Sequence, residues 1–122
     1  MTHATRGIRG AITVDGRGPE AVGSATAELL GRIAESNELR PEDVAALIFT
    51  LTDDLADANP AAAARASGWP DVPLLMVREH GGDTRVERCL RVLVLWNTSK
   101  PQSGVRHAYL REAAALRPDR AD

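Results

Sequence analysis

The stretch Arg88-Cys89-Leu90-Arg91-Val92-Leu93-Val94-Leu95-Trp96 constrains this chain more than any other. It is the most strongly β-forming run in the sequence, and its alternation is apolar on both sides. Cys89, Arg91, Leu93 and Leu95 share one face; Leu90, Val92, Val94 and Trp96 share the other. Apolar character on both faces predicts a central strand that is covered on both. Arg91 stands in its middle. A guanidinium stays charged at any ordinary pH, and burying it unpartnered is costly. Something anionic therefore has to meet Arg91, either an internal Asp or Glu or an anionic ligand. The run itself leaves both open.

The rest of the sequence limits what surrounds that strand. Its 122 residues suffice for one domain with a modest core, ending in a short tail from about residue 118. Phe49, Trp69, Trp96 and Tyr109 are the only aromatic residues, so the core rests on small aliphatic groups, a composition that favours subunit contacts. The net charge is -2 and no basic block occurs, so nucleic acid is not the expected partner. Lys100 is the single lysine; the other basic residues are arginines and three histidines. One cysteine, Cys89, excludes an internal disulfide framework and fits a reducing compartment. Met1 to Gly10 carries no apolar signal-peptide core, and no apolar run approaches the roughly 20 residues of a membrane span. A soluble cytoplasmic protein is expected.

Arg6 to Val14 reads as a first strand with Arg9 opposite Ile8 and Ile12, and its glycines permit close backbone approach or a bulge. Pro19 and Glu20 suit a helix start, and Val22, Ala25, Leu29, Leu30 and Ile33 recur at helical spacing to about Asn37. Val44 to Thr52 reads as a buried second strand. Asp53, Asp54 and Asp57 follow in what reads as a solvated loop, since the spacing of a calcium loop is missing. Asn59-Pro60 opens a short alanine-rich helix closed by Gly68. Val72 to Glu79 is a third strand, and a polar loop from Asn97 to Gly104 follows the central one. Val105 to Leu116 is ambiguous: its alanines favour helix, whereas alternation sets His107, Tyr109 and Arg111 on one strand face. The order predicts a mixed α/β (α+β) layer with helices on one sheet face.

Familiar catalytic patterns are absent. His3, His80 and His107 are scattered and there is no second cysteine, which argues against zinc. No phosphate-binding glycine loop opens a helix, no GxSxG elbow occurs, and Lys100 in a polar loop suits no Schiff base. No cofactor or metal is implied. Strand-borne arginines, one strand-end glutamate and one tyrosine remain, an inventory suited to a multiply anionic small molecule.

Arg6-Gly7-Ile8-Arg9-Gly10-Ala11, followed by Thr13-Val14, resembles the N-terminal signature of AroH-class chorismate mutases. Val72-Pro73 with Glu79, Cys89-Leu90-Arg91-Val92, and Arg106-His107-Ala108-Tyr109-Leu110 running to Leu116-Arg117-Pro118-Asp119 agree with that family in order and spacing. The resemblance spans nearly the whole chain. It implies an isomerase converting chorismate to prephenate by an intramolecular [3,3] rearrangement, on the route to phenylalanine and tyrosine. It further implies a homotrimeric pseudo-α/β barrel with sites between neighbouring subunits, and a strand for the final segment. Arg91 would then donate to the substrate's ether oxygen and Glu79 would accept from its hydroxyl. Arg9 and Tyr109 would hold carboxylate or neighbouring oxygens. The backbone of Leu75, Met76, Val77, Arg78 and Glu79 would line the pocket, and Leu116-Arg117 would close it.

The chain departs from the family pattern in three places. Asn59 stands where an aromatic residue is frequent, Ala62 where some members carry a charge, and Met76 where a cysteine sometimes lies. Two other readings fit the same arginines: a trimeric imine deaminase of the Rid type, and a non-enzymatic module that captures a dicarboxylate.

Overall fold

The run around Arg91 forms a strand, Cys89–Thr98, in the middle of a five-stranded mixed sheet. The structure, a computed structural model, describes residues 3–16, 18–55, 58–79 and 86–116. Along them run β1 (Ala4–Thr13), α1 (Pro19–Asn37), β2 (Val44–Leu51), α2 (Pro60–Ala66), β3 (Leu74–Arg78), β4 (Cys89–Thr98) and β5 (Ala108–Leu110). The strands lie in the order β3-β2-β4-β1-β5. β4 is antiparallel to both neighbours, while β2 with β3 and β1 with β5 are parallel. α2 supplies the crossover that the parallel β2–β3 pair requires.

Both faces of β4 are apolar; within the chain one is covered along the strand and the other only at its Cys89 end. Leu90, Val92, Val94 and Trp96 are buried with Ile8 and Ile12 of β1 and Leu47 and Phe49 of β2, beneath Val22, Ala25, Leu29, Leu30 and Ile33 of α1. The alternate positions, Arg91, Leu93 and Leu95, are only partly buried, and Thr50, Ile48 and Ala46 of β2 share their face by register. The expectation of a strand covered on both sides is corrected to one side, because α1 and α2 pack on the same face.

α1 approaches β1 over Gly10. A Cβ there would stand 2.8 Å from Ile33 Cδ1, 3.1 Å from Val92 Cγ1 and 3.2 Å from Leu29 Cδ1. The glycine read from sequence as permitting close approach is required for it at this position. α1 ends with Glu38 in the left-handed region (φ 52), where the Leu39 N–H reaches back to the Ala34 carbonyl. Asn37, 1% exposed, accepts from the Arg106 N–H and donates to the Ile33 and Arg106 carbonyls, which fixes the approach to β5.

The last segment is a strand only at Ala108–Leu110. Arg111 turns into the left-handed region (φ 56), and its guanidinium bonds the Thr13 carbonyl and Glu28 of α1. From there Arg111–Leu116 forms a 3-10 helix. The strand expected over Val105 to Leu116 is thus shortened, and the alanines express their helical preference after the turn. The tail expected from about residue 118 lies outside the described residues.

Gly10→Ala is expected to destabilise the fold by about 1–3 kcal/mol through overpacking of three core side chains. A fall in Tm of several degrees should result, whereas Gly31→Ala, which meets nothing within 4 Å, should hold or raise it. Equal melting of the Gly10 variant and the parent would contradict the close contact.

Candidate active site

Arg91 stands on the sheet face turned away from the helices, opposite Ala11 of β1 and Thr50 of β2 in the strand register. Its side chain is 38% exposed, and that of Glu79, just beyond β3, is 13% exposed. Arg91 Nε lies 3.3 Å from Glu79 Oε1, close enough for ion pairing. The same nitrogen is buried and makes no hydrogen bond. Charge attraction tolerates that misalignment, whereas a hydrogen bond needs the N–H aimed at its acceptor. The Thr50 hydroxyl instead donates to Glu79 Oε1 at 2.8 Å, and the Glu79 N–H donates to the Leu51 carbonyl at 3.1 Å. Of the two alternatives for Arg91, the internal carboxylate is present, and it leaves the buried Nε without a hydrogen bond.

Arg9 shares this face, diagonal to Arg91, a relation that places such positions about 7–8 Å apart. Its N–H donates to His107 Nδ1 at 2.9 Å, tying β1 to the segment before β5. Among the described residues no carboxylate pairs with the Arg9 side chain. Tyr109 lies opposite Ala11 and is buried in a second cluster with Ala11, Val86, Cys89 and Ala113, against which Leu116 packs. Arg91, Arg9, Tyr109 and Leu116 are thus gathered on one side of the sheet with Glu79. Arg117 lies outside the described residues.

β3 is an edge strand, and the residues expected to line a pocket are open on it. Leu75 is 57%, Met76 40% and Val77 41% exposed. Val77 follows Thr50 in register on the Arg91 face, whereas Met76 pairs with Phe49 and alternates away. Arg78 is held loosely by Asp53 at 3.5 Å with both side chains exposed. Met76, Val77 and Arg78 line a hollow of about 190 Å³ with Leu51 and Asp53.

Two contributors escaped the sequence reading. Thr50 reads from sequence as one polar residue in a buried strand, and only the register with Arg91 puts it on the arginine face. The sequence places Asp54 in a solvated loop. It is instead half-buried, accepting from the Arg88 N–H at 2.9 Å and from the Thr52 hydroxyl. Thr52 in turn accepts from the Cys89 N–H at 3.0 Å. With Arg88 in the left-handed region (φ 47), these bonds fix where β4 begins, at Cys89, two residues before Arg91. Asp53 is exposed as expected, and Asp57 lies outside the described residues. Asn59, the departure from the family's aromatic residue, caps α2 by accepting from the Ala61 and Ala62 N–H groups.

Cys89 is fully buried, as expected of a core residue. Burial pushes its thiol up to about 11, against the opposing pull of the Arg91 guanidinium. It is a neutral thiol at pH 7, which suits packing and not nucleophilic attack.

The sequence profile of the family described as chorismate mutase type I matches residues 5–120. Over 115 residues the chain is 55% identical to a Thermus thermophilus protein named chorismate mutase AroH, covering 93% of this chain and 94% of that one. It belongs to the type I chorismate mutase family. A Bacillus subtilis protein of the same name is 40% identical over 115 residues, covering 93% of this chain and 91% of its own. The solved structure of a chorismate mutase from Clostridium thermocellum superposes with a TM-score of 0.86 at 38% identity, covering 90% of this chain and 98% of that one. The family resemblance read from the four motifs is borne out, and so is the mixed α+β architecture.

A raised thiol pKa has a definite sign. The folded state keeps the Cys89 proton where the unfolded chain loses it, so this group leaves stability unchanged below about pH 9 and lowers it from there to about pH 11. Urea midpoints at pH 8 and pH 10.5 should therefore differ more for the parent than for Cys89→Ala. Equal differences would remove the assignment.

Proposed function

We propose that this protein is a chorismate mutase, converting chorismate to prephenate by an intramolecular [3,3] rearrangement. The observation that carries the reading is Arg91: a buried, hydrogen-bond-free Nε beside a carboxylate already engaged by Thr50. Membership of the type I family supports it, and the comparisons favour neither the imine deaminase nor the non-enzymatic dicarboxylate binder.

The chemistry asks little of the protein in bond-making groups. One C–O bond breaks and one C–C bond forms within a single molecule, with no net proton transfer and no covalent intermediate. Rate is gained by holding a compact substrate conformer and by stabilising the negative charge that grows on the ether oxygen. Arg91 donates to that oxygen. A guanidinium is charged at any ordinary pH. Arg9 and Tyr109 hold carboxylate or neighbouring oxygens, and Glu79 accepts from the ring hydroxyl through the oxygen that Thr50 leaves free. The backbone from Leu75 to Glu79 lines the site, and Leu116 borders it. No metal or cofactor takes part.

The assembly we propose is a homotrimer forming a pseudo-α/β barrel, with sites between subunits. The half-buried Leu93, Leu95 and Ile48 and the exposed Leu75, Met76 and Val77 support it, being apolar surface that a neighbouring copy would cover. A cytoplasmic location accords with the unpaired Cys89, and no described helix is long and apolar enough to cross a membrane.

Arg91→Ala should lower kcat/KM by at least about 3 kcal/mol in barrier terms, the scale of losing a transition-state donor. Following chorismate absorbance decay against prephenate formation measures this, and near-parental turnover by the variant would contradict the mechanism. Sedimentation equilibrium should give three times the 13.1 kDa chain mass. A monomer at assay concentrations would contradict the assembly.

A further inference from the structure

We infer that Thr50 is a positioning residue that keeps Glu79 from closing on Arg91, an inference that rests on the proposed mutase reading. Three observations meet here. Arg91 Nε and Glu79 Oε1 are 3.3 Å apart without a hydrogen bond, and that Nε is buried. The oxygen it approaches is the one to which the Thr50 hydroxyl donates, at 2.8 Å. Thr50 and Arg91 are direct partners on adjacent strands, so the hydroxyl is fixed relative to the guanidinium by the sheet itself.

A carboxylate free to turn beside a guanidinium settles into a forked pair of charge-assisted hydrogen bonds, about twice as strong as neutral ones. In this site such a fork would occupy the donors that a ligand needs. The Thr50 hydroxyl competes for Oε1 and holds the carboxylate out of line with Nε. Glu79 thereby lends Arg91 a nearby negative charge without consuming its donors, while its second oxygen stays available. The Leu51 carbonyl fixes the Glu79 backbone at the same time, so rotation of the side chain is the only freedom left to restrain.

The test separates the hydroxyl from the volume it occupies. Thr50→Val keeps the shape and removes the donor; Thr50→Ser keeps the donor and removes a methyl; Thr50→Ala checks the first should valine pack badly. The valine and alanine variants should lose at least about tenfold in kcat, the scale of a misplaced catalytic group, with serine restored to within about twofold. Crystal structures of the valine or alanine variant should show Glu79 turned onto Arg91 with Nε hydrogen-bonded. Parental activity without the hydroxyl, a serine variant as impaired as valine, or an unmoved Glu79 would each overturn the inference. If the parent protein does not convert chorismate, the proposed function fails, and the position of Glu79 in the variant crystals decides the role of Thr50 alone.

Discussion

A guanidinium set in the central strand is the condition that the surrounding structure has to meet. Arg91 emerges from β4 between Ala11 and Thr50 on a face that also carries Leu93, Leu95, Ile48 and Ala46, with Arg9 and Tyr109 on the Ala11 side. In such surroundings a bare guanidinium is costly, and a fully paired one is inert toward ligands. The structure takes an intermediate course. Glu79 supplies charge at ion-pair distance, Thr50 occupies the oxygen that would otherwise complete the bond, and the buried Nε stays unsatisfied.

That arrangement is useful only if the donors stay where they are. β4 is paired on both sides, and its first residue is located by the Thr52 and Asp54 side chains through the Cys89 and Arg88 N–H groups. Behind it, the helical layer packs so closely that Gly10 has no room for a side chain. Asn37 and His107 tie the approach to β5 to α1 and β1, which sets Tyr109 beside Ala11. A reaction that exchanges no protons depends on such fixed geometry, since positioning and electrostatics are the available sources of rate.

Periodicity made the architecture legible. α1 runs from Pro19 to Asn37 as its apolar spacing predicts, and the β4 alternation locates Arg91 on the correct face. Periodicity says nothing about how many faces the chain itself covers, so one-sided burial is not legible in it. The last segment departs from the expected strand because a single left-handed residue, Arg111, divides a strand from a 3-10 helix, and neither propensity nor alternation encodes that turn. At the site, charged residues announced themselves: Arg9, Glu79 and Arg91 stand out in apolar runs. Thr50 and Asp54 did not, because their roles consist of hydrogen bonds to residues 29 and 34 positions away in sequence.

The apolar face beside Arg91 links chemistry to assembly, for the surface that would bring a neighbouring copy also frames the guanidinium. A crystal structure with a bicyclic diacid that mimics the bridged transition state tests the central claim most directly. The account predicts the ether oxygen about 3 Å from an Arg91 donor, with Glu79 facing the hydroxyl and still held by Thr50. An analogue bound away from Arg91, or Arg91 forked onto Glu79 with the analogue in place, would contradict it.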